Sequence, residues 1–434
     1  MVFQGTLQSW ANMEETQSFF ETPFDFLVDG FKATSSSIFW FRLFKHEVTA
    51  ISGSAARNVF FQERTLNLYE GFQVLIGTIP TDLDPHVLSG IYKRLNIIQK
   101  PESLASKVFS KHVTFRMIIR AVSSHDIAEN DAMVSRLKYF YDIIDSPGKP
   151  MLGPLSWIPG FAMAQKLWAS TSVYRIFNNA VHERKYAKIK RDDTLQQLLD
   201  ARESWQCIVG FMMGLPIAGA RSTGTIGSWV LIFLSYEEHW YLTVRKEVQA
   251  LISMYEPTTT TTTESFSGES IFHSLSAIPL EGWESLTPQL DLCIRETLRR
   301  AQPHTAVRRN TGPELTIADY EIPSGAFVVY PFSDTLLNPA TYPNPLKWDP
   351  ARHSSTSQEN FIGWGGGKHM CKGQRLAKLT MKLVVAYTLM RFDLAAVDGR
   401  EVRAEPIPDW NDFLTCRPQE GCSINFSERR GWND

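Results

Sequence analysis

The sequence predicts a mainly α protein with a small β part, organised as a single domain over residues 1–434. Three observations carry this. Apolar stripes with charged faces recur at helical spacing from about Ala55 to Leu251, and again around Pro288–Arg300 and Gln374–Met390. The runs rich in β-branched and aromatic residues are short and few. No internal repeat and no linker divides the chain into two cores.

Taken in order, Ile38–Phe44 and Glu47–Ser52 read as a hairpin. Residues 146–161 carry Pro147, Pro150, Pro154 and Pro159 among Met151, Leu152, Leu155, Trp157 and Ile158, an apolar loop. Two readings of it stand, burial against the body of the protein or peripheral contact with a membrane surface. Trp205–Leu234 is almost continuously apolar and long enough to cross a bilayer. Arg221 and the polar run Ser222, Thr223, Gly224, Thr225 sit at its middle, where a charge is costly in lipid, so it reads as a long buried helix. Residues 257–268 hold a threonine run and read as a low-complexity surface loop. Beyond the helix at Pro288–Arg300, short strands are expected at Glu314–Ile317, Tyr320–Ile322 and Phe327–Tyr330, with a turn at Pro323-Ser324-Gly325. Pro-rich coil from Pro339 to Pro350, a cysteine-bearing segment, a helix and a terminal strand region follow.

Composition excludes several function classes. A net charge of -2 gives no reason to expect nucleic acid as a partner. The five cysteines (207, 293, 371, 416 and 422) contain no CxxC pair, which argues against zinc and iron–sulfur sites and for reduced thiols facing the cytosol. Met1–Phe20 is polar and mixed, unlike a signal peptide or membrane anchor. Aromatics make up 12% of the residues, enough for a large apolar interior or pocket.

The segment carrying chemistry is Phe361-Ile-Gly-Trp-Gly-Gly-Gly-Lys-His-Met-Cys-Lys-Gly-Gln. Gly363 and Gly365–Gly367 allow a tight backbone turn, and Cys371 falls just before a helix. Unpaired N–H groups and the positive dipole end of that helix favour a thiolate. A phosphate loop is a poor alternative, because no GxxxxGK[ST] is present. Upstream, Glu296 and Arg299 share one helix face, a pairing that many surface helices also carry.

The segment resembles the heme-binding signature of the cytochrome P450 family. Trp364 stands where the family usually has Phe, Gly367 at its Gly, Cys371 at the axial ligand, which would be the only metal ligand from the protein, and Gly373 at the last Gly. The resemblance implies the fold of that family, with heme b between a long oxygen-binding helix and the cysteine loop. It implies that Glu296 and Arg299 join Arg352, in Trp348-Asp-Pro-Ala-Arg352, as a structural triad. His369 and Arg309, with Arg308 close behind in register, would hold the heme propionates; Lys93 and Arg94 read either as a solvated surface, the favoured reading, or as substitutes for the pattern missing from the N-terminal half. Ala218-Gly-Ala-Arg221-Ser222-Thr223 matches the oxygen-binding helix, with Ser222 and Thr223 as the catalytic proton relay. Arg221 replaces the family's acid, a departure that bears on that relay.

The activity implied is a monooxygenase acting on a hydrophobic small molecule, such as a lipid, terpenoid or other secondary metabolite. It would use molecular oxygen and electrons from NADPH passed through a partner flavoprotein reductase. The resemblance is to eukaryotic members of fungal type, and it implies the endoplasmic reticulum membrane as location. Ala218, Thr305–Val307 and Phe413–Thr415 would line the pocket. Lys368, Lys372, Arg375, Lys378 and Lys382 form either a docking face for an acidic redox partner or a solvated surface. Two rivals remain open, a heme-thiolate isomerase or dehydratase acting on a peroxide without a reductase, and a non-heme membrane protein spanning with Trp205–Leu234.

Overall fold

In a computed structural model of the chain, residues 15–43, 46–71, 113–145, 161–187, 189–255, 267–302, 305–354, 361–397, 405–412, 416, 423–429 and 431 are described. The N-terminal part holds α1 (Glu15–Glu21), α2 (Pro23–Thr34), β1 (Ile38–Leu43), β2 (His46–Ile51), α3 (Ser54–Gln62) and β3 (Leu66–Asn67). The helical body follows: α4 (Val113–Val122), α5 (His125–Ala128), α6 (Asp131–Asp145), α7 (Phe161–Ala187), α8 (Thr194–Asp200), α9 (Trp205–Tyr236) and α10 (Glu238–Tyr255). Next come α11 (Gly268–Ala277), α12 (Leu280–Ser285), α13 (Pro288–Ala301), β4 (Thr305–Asn310), β5 (Leu315–Ile317), β6 (Tyr320–Ile322), β7 (Phe327–Pro331) and α14 (Ser333–Leu336). The chain closes with α15 (Gln374–Arg391), β8 (Phe392–Val397) and β9 (Ser423–Glu428).

The mainly α expectation holds, and the sheet is small. Its strand order is β1-β2-β7-β4-β3, with β2 and β7 parallel and the other neighbours antiparallel. The hairpin β1–β2 forms as expected, Ile38 opposite Ile51. Strand β4 was not anticipated: Thr-Ala-Val-Arg-Arg-Asn lacks the apolar alternation of a strand, and pairing with β7 decides it. That pairing positions two arginines on opposite faces of a buried sheet.

Helix α9 is the spine of the body, packing on α4, α7, α10, α13 and α15. Ser204 caps it by accepting the Cys207 N–H at 3.2 Å. Among the described residues it is the one helix long and apolar enough to cross a membrane. Its buried Trp229, Val230, Phe233 and Leu234 join a core shared with α10, α13 and α15, so the membrane-span reading gives way to a core helix. Helix α13 starts with Pro288 at its first turn, and Glu247 of α10 caps it, accepting Gln289 N–H at 2.8 Å and Leu290 N–H at 3.0 Å.

Most of the low-complexity stretch and the apolar loop lie outside the described residues. At their edges, Gly268 already begins α11, capped by Ser267, and Phe161 begins α7. Four of the cysteines are free thiols, and Cys422 lies outside the described residues.

Candidate active site

Glu296 and Arg299 face one another from successive turns of α13, both fully buried. Arg299 donates through Nε to Oε2 and through Nη2 to Oε1, each at 2.8 Å, a bidentate pair. Arg352 enters from the Pro-rich coil and donates its Nε to Glu296 Oε1 at 3.0 Å. Its Nη1 reaches Pro343 O at 2.9 Å, and Arg299 Nη1 reaches Leu336 O at 2.7 Å, so the pair also ties down the coil. The three residues expected as a triad therefore meet. Sequence reading missed a fourth partner, His353, whose Nε2 lies 2.9 Å from Glu296 Oε2. Its only signal is adjacency to Arg352. Burial raises the Glu296 pKa, but its hydrogen bonds to Arg299 and His353 and the Arg299 charge outweigh that and hold it below the usual carboxylate value.

The cysteine loop is shaped by close approach to α3. Gly367 has φ +58, and a Cβ there would lie 1.9 Å from Phe61 O, so no other residue fits. Gly365, at φ +76, needs the same left-handed conformation. The turn closes when Gly365 N–H donates to Ile362 O and Cys371 N–H to Trp364 O, both at 2.8 Å. Trp364, half-buried, packs on the core beneath α15. Cys371 then precedes α15, and Gly373 N–H donates to its sulfur, which lowers the thiol pKa against the larger upward push of burial. Cys371 is nonetheless exposed.

Cations gather beside this loop. Arg308 is buried, its Cζ stacked 4.3 Å from the Phe60 ring centroid, its Nη1 donating to Phe60 O, and its Nε without a partner among the described residues. Burial brings its pKa down to about 10. His369 is held down to about 4 by burial, with Arg308 and Lys368 adding to the effect, and its Nε2 also has no partner. Buried polar nitrogens without partners are costly, and Arg308 Nε and His369 Nε2 are two such atoms side by side. The set is built for an anion. Arg309, preferred on register, points the other way: it pairs with Glu70 at 3.1 Å and donates to Gly325 O at 3.1 Å. Alternation along β4 puts Arg308, not Arg309, beside His369. Lys93, Arg94 and Phe413–Thr415 lie outside the described residues.

On α9, Gly214, Ala218 and Ser222 are exposed at four-residue intervals, while Thr223 is buried. The two alcohols thus have different surroundings, and Ser222 shares the face of Ala218. The five cations near Cys371 do not form one patch. Lys382 is interior, donating to Trp283 O at 2.8 Å and Asp291 Oδ2 at 2.9 Å. Lys378 also pairs with Asp291, and Arg375 with Glu284 through Nη2 at 2.9 Å.

A family model described as "Cytochrome P450" matches residues 283–421, which span Glu296, Arg352 and the cysteine loop. Relatives extend the match over the rest of the chain. Cytochrome P450 monooxygenase AacuE of Aspergillus aculeatus is 25% identical, covering 88% of this chain and 84% of its own. Cytochrome P450 monooxygenase dmxR5 of a Cryptosporiopsis species is also 25% identical, over 85% and 78%. Residues 283–421 thus carry a cytochrome P450 domain, and over most of its length the chain is similar to cytochrome P450 monooxygenases. The fold agrees: the solved structure of retinoic acid-bound cyanobacterial CYP120A1 superposes with a TM-score of 0.69, covering 96% of each chain at 19% identity. This P450 is accordingly an oxidoreductase of the monooxygenase class with a heme cofactor. Its own residues fit that group. A heme would bring two carboxylates as acceptors for Arg308 Nε and His369 Nε2, and an iron for the exposed, free Cys371.

Proposed function

We propose that this P450 inserts one oxygen atom into a hydrophobic small molecule of secondary metabolism, a lipid or terpenoid, with electrons from NADPH through a flavoprotein reductase. The observation that carries the reading is Cys371 itself, an exposed residue whose sulfur receives the Gly373 N–H at the start of α15. Cys371 would ligate the iron, with Arg308 Nε and His369 Nε2 donating to the propionates. When bound, heme supplies the activation of dioxygen, which a thiolate ligand promotes by electron push.

The remaining work belongs to the chain's side chains. The Gly214–Ala218–Ser222 stripe would face Cys371 across the heme, small enough to admit substrate. Ser222 Oγ, rather than the buried Thr223, would hold and pass the proton. Ala306 and Thr305, half-buried on β4, would contribute to the apolar wall. Names of the fungal relatives support the monooxygenase class and leave the substrate to be found. The cytosolic face of the endoplasmic reticulum, with peripheral contact through 146–161, is the location we propose.

The test is the spectrum of the reduced protein with carbon monoxide, for wild type and Cys371→Ala. A strongly red-shifted Soret band present only in wild type is expected; the same band in the variant would sink the ligand assignment. Arg221, in place of the family's acid, favours a second reading, turnover of a peroxide without a reductase. Product formed from a hydroperoxide in the absence of NADPH, and none formed with reductase and NADPH, would establish it.

A further inference from the structure

Glu296 is more heavily bonded than a three-member triad explains. Oε1 accepts from Arg299, Arg352 and the Asp349 N–H, and Oε2 from Arg299 and His353. A carboxylate can only accept, so His353 Nε2 carries the proton. Its Nδ1 is buried with no partner among the described residues, so the ring is aimed by the Glu296 bond and by packing alone. That packing leads to the cysteine loop. The His353 ring meets Phe361 edge-on, centroids 5.8 Å apart at 74°, and meets Tyr342 at 6.2 Å. Phe361 is the first residue of the cysteine segment.

Phe361 is enclosed on its other sides. The Arg295 guanidinium lies 4.5 Å over its ring. A Cβ on Gly363 would fall 2.5 Å from Phe361 Cζ and 3.1 Å from Leu298 Cβ, so the backbone wraps tightly around the ring. From there the turn runs through Ile362 O and Trp364 O to the Cys371 N–H. We propose that His353 is a positioning residue for the Cys371 loop, fastening Phe361 to the buried Glu296 carboxylate. The inference rests on the reading that Cys371 holds the heme. It adds a contact by which α13 sets the position of the sulfur, independent of the chain path between residues 353 and 361.

The holoenzyme of wild type, His353→Phe and His353→Gln tests it. Phe keeps a ring against Phe361 but cannot donate to Glu296, whereas the Gln amide can. Three readouts apply: heme loss to an excess of a heme-accepting apoprotein, the fraction of reduced, CO-bound heme in the thiolate band, and hydrogen exchange across 361–371. His353→Phe should lose heme roughly tenfold faster, in keeping with a lost hydrogen bond to a charged group. It should also shift heme out of the thiolate band and speed exchange in 361–371 while α9 is unchanged. His353→Gln should restore most of each property. Should His353→Phe fail to fold, Gln against wild type still decides: selective loosening of 361–371 that scales with heme loss supports the role. Wild-type behaviour of His353→Phe overturns it, as does a loss of protection spread evenly over the protein. If Cys371→Ala keeps the thiolate band, the ligand reading fails first, whatever the His353 variants do.

Discussion

Glu296 places one negative charge, wholly buried, among two arginines and a histidine. Removing one partner from such a group leaves an uncompensated charge, so Glu296→Gln should destabilise by about 3–5 kcal/mol, read from denaturant midpoints. Acid lability follows from the same cluster. Burial, opposed by Glu296, holds the His353 pKa below 6.5, and Glu296 lies below 4.5 despite its burial. Both folded values are depressed, so each contributes stability that is full above the unfolded pKa and lost as pH falls through the folded one. The thermal midpoint should therefore fall in two stages, from pH 6.5 downwards and again below 4.5. His353→Gln should shrink the first stage, to which the depressed His369 also contributes, and leave the second. Glycines offer a parallel contrast. Gly53, φ +92, has nothing within 4 Å of a built Cβ, so Gly53→Ala should cost only the strain of about 1 kcal/mol. Gly367→Ala adds a collision with Phe61 O, and should cost more and weaken heme retention.

Element packing sorts the cations that sequence reading grouped together. Lys382 bridges α15 to α12 and α13 from the interior, whereas Arg375 reaches Glu284 near the surface, about half exposed. Arg375→Glu should change stability by less than about 1 kcal/mol. Lys382→Glu would bury a second carboxylate beside Asp291 and should cost about 3 kcal/mol or more, with chemical denaturation separating the two. Lys372, with no ion pair among the described residues, is left as the natural site for a charge-reversal test of partner docking. The helices themselves were legible because their apolar stripes repeat every three or four residues over many turns. Strand β4 was not, since a six-residue run with two arginines takes its conformation from its neighbour β7.

At the scale of the whole molecule, the cysteine loop is set between Phe61 of α3 and the start of α15. Arg308 Nε and His369 Nε2, both without partners among the described residues, should gain most when heme binds. Removing heme should lower the thermal midpoint, by an amount that grows with the affinity. Protection from hydrogen exchange should fall first in 361–371 and around Arg308, with α9 and α13 losing least. Equal loss across all elements would contradict this order.

The sequence by itself determined the class of the fold and the Gly-rich turn before Cys371, while the Glu296–Arg299–Arg352 set was legible only through the family resemblance. Each is written in local spacing, periodicity or a short motif, which one chain displays without its partners. The tertiary structure alone decided that Arg308 rather than Arg309 stands beside His369, since alternation along β4 depends on which face β7 and α3 cover. It also decided that Ser222 is accessible while Thr223 is buried, that Lys382 belongs to the core, and that His353 joins Glu296. Those outcomes depend on contacts between residues distant along the chain, where burial and hydrogen-bond partners are set by packing and by no neighbouring residue.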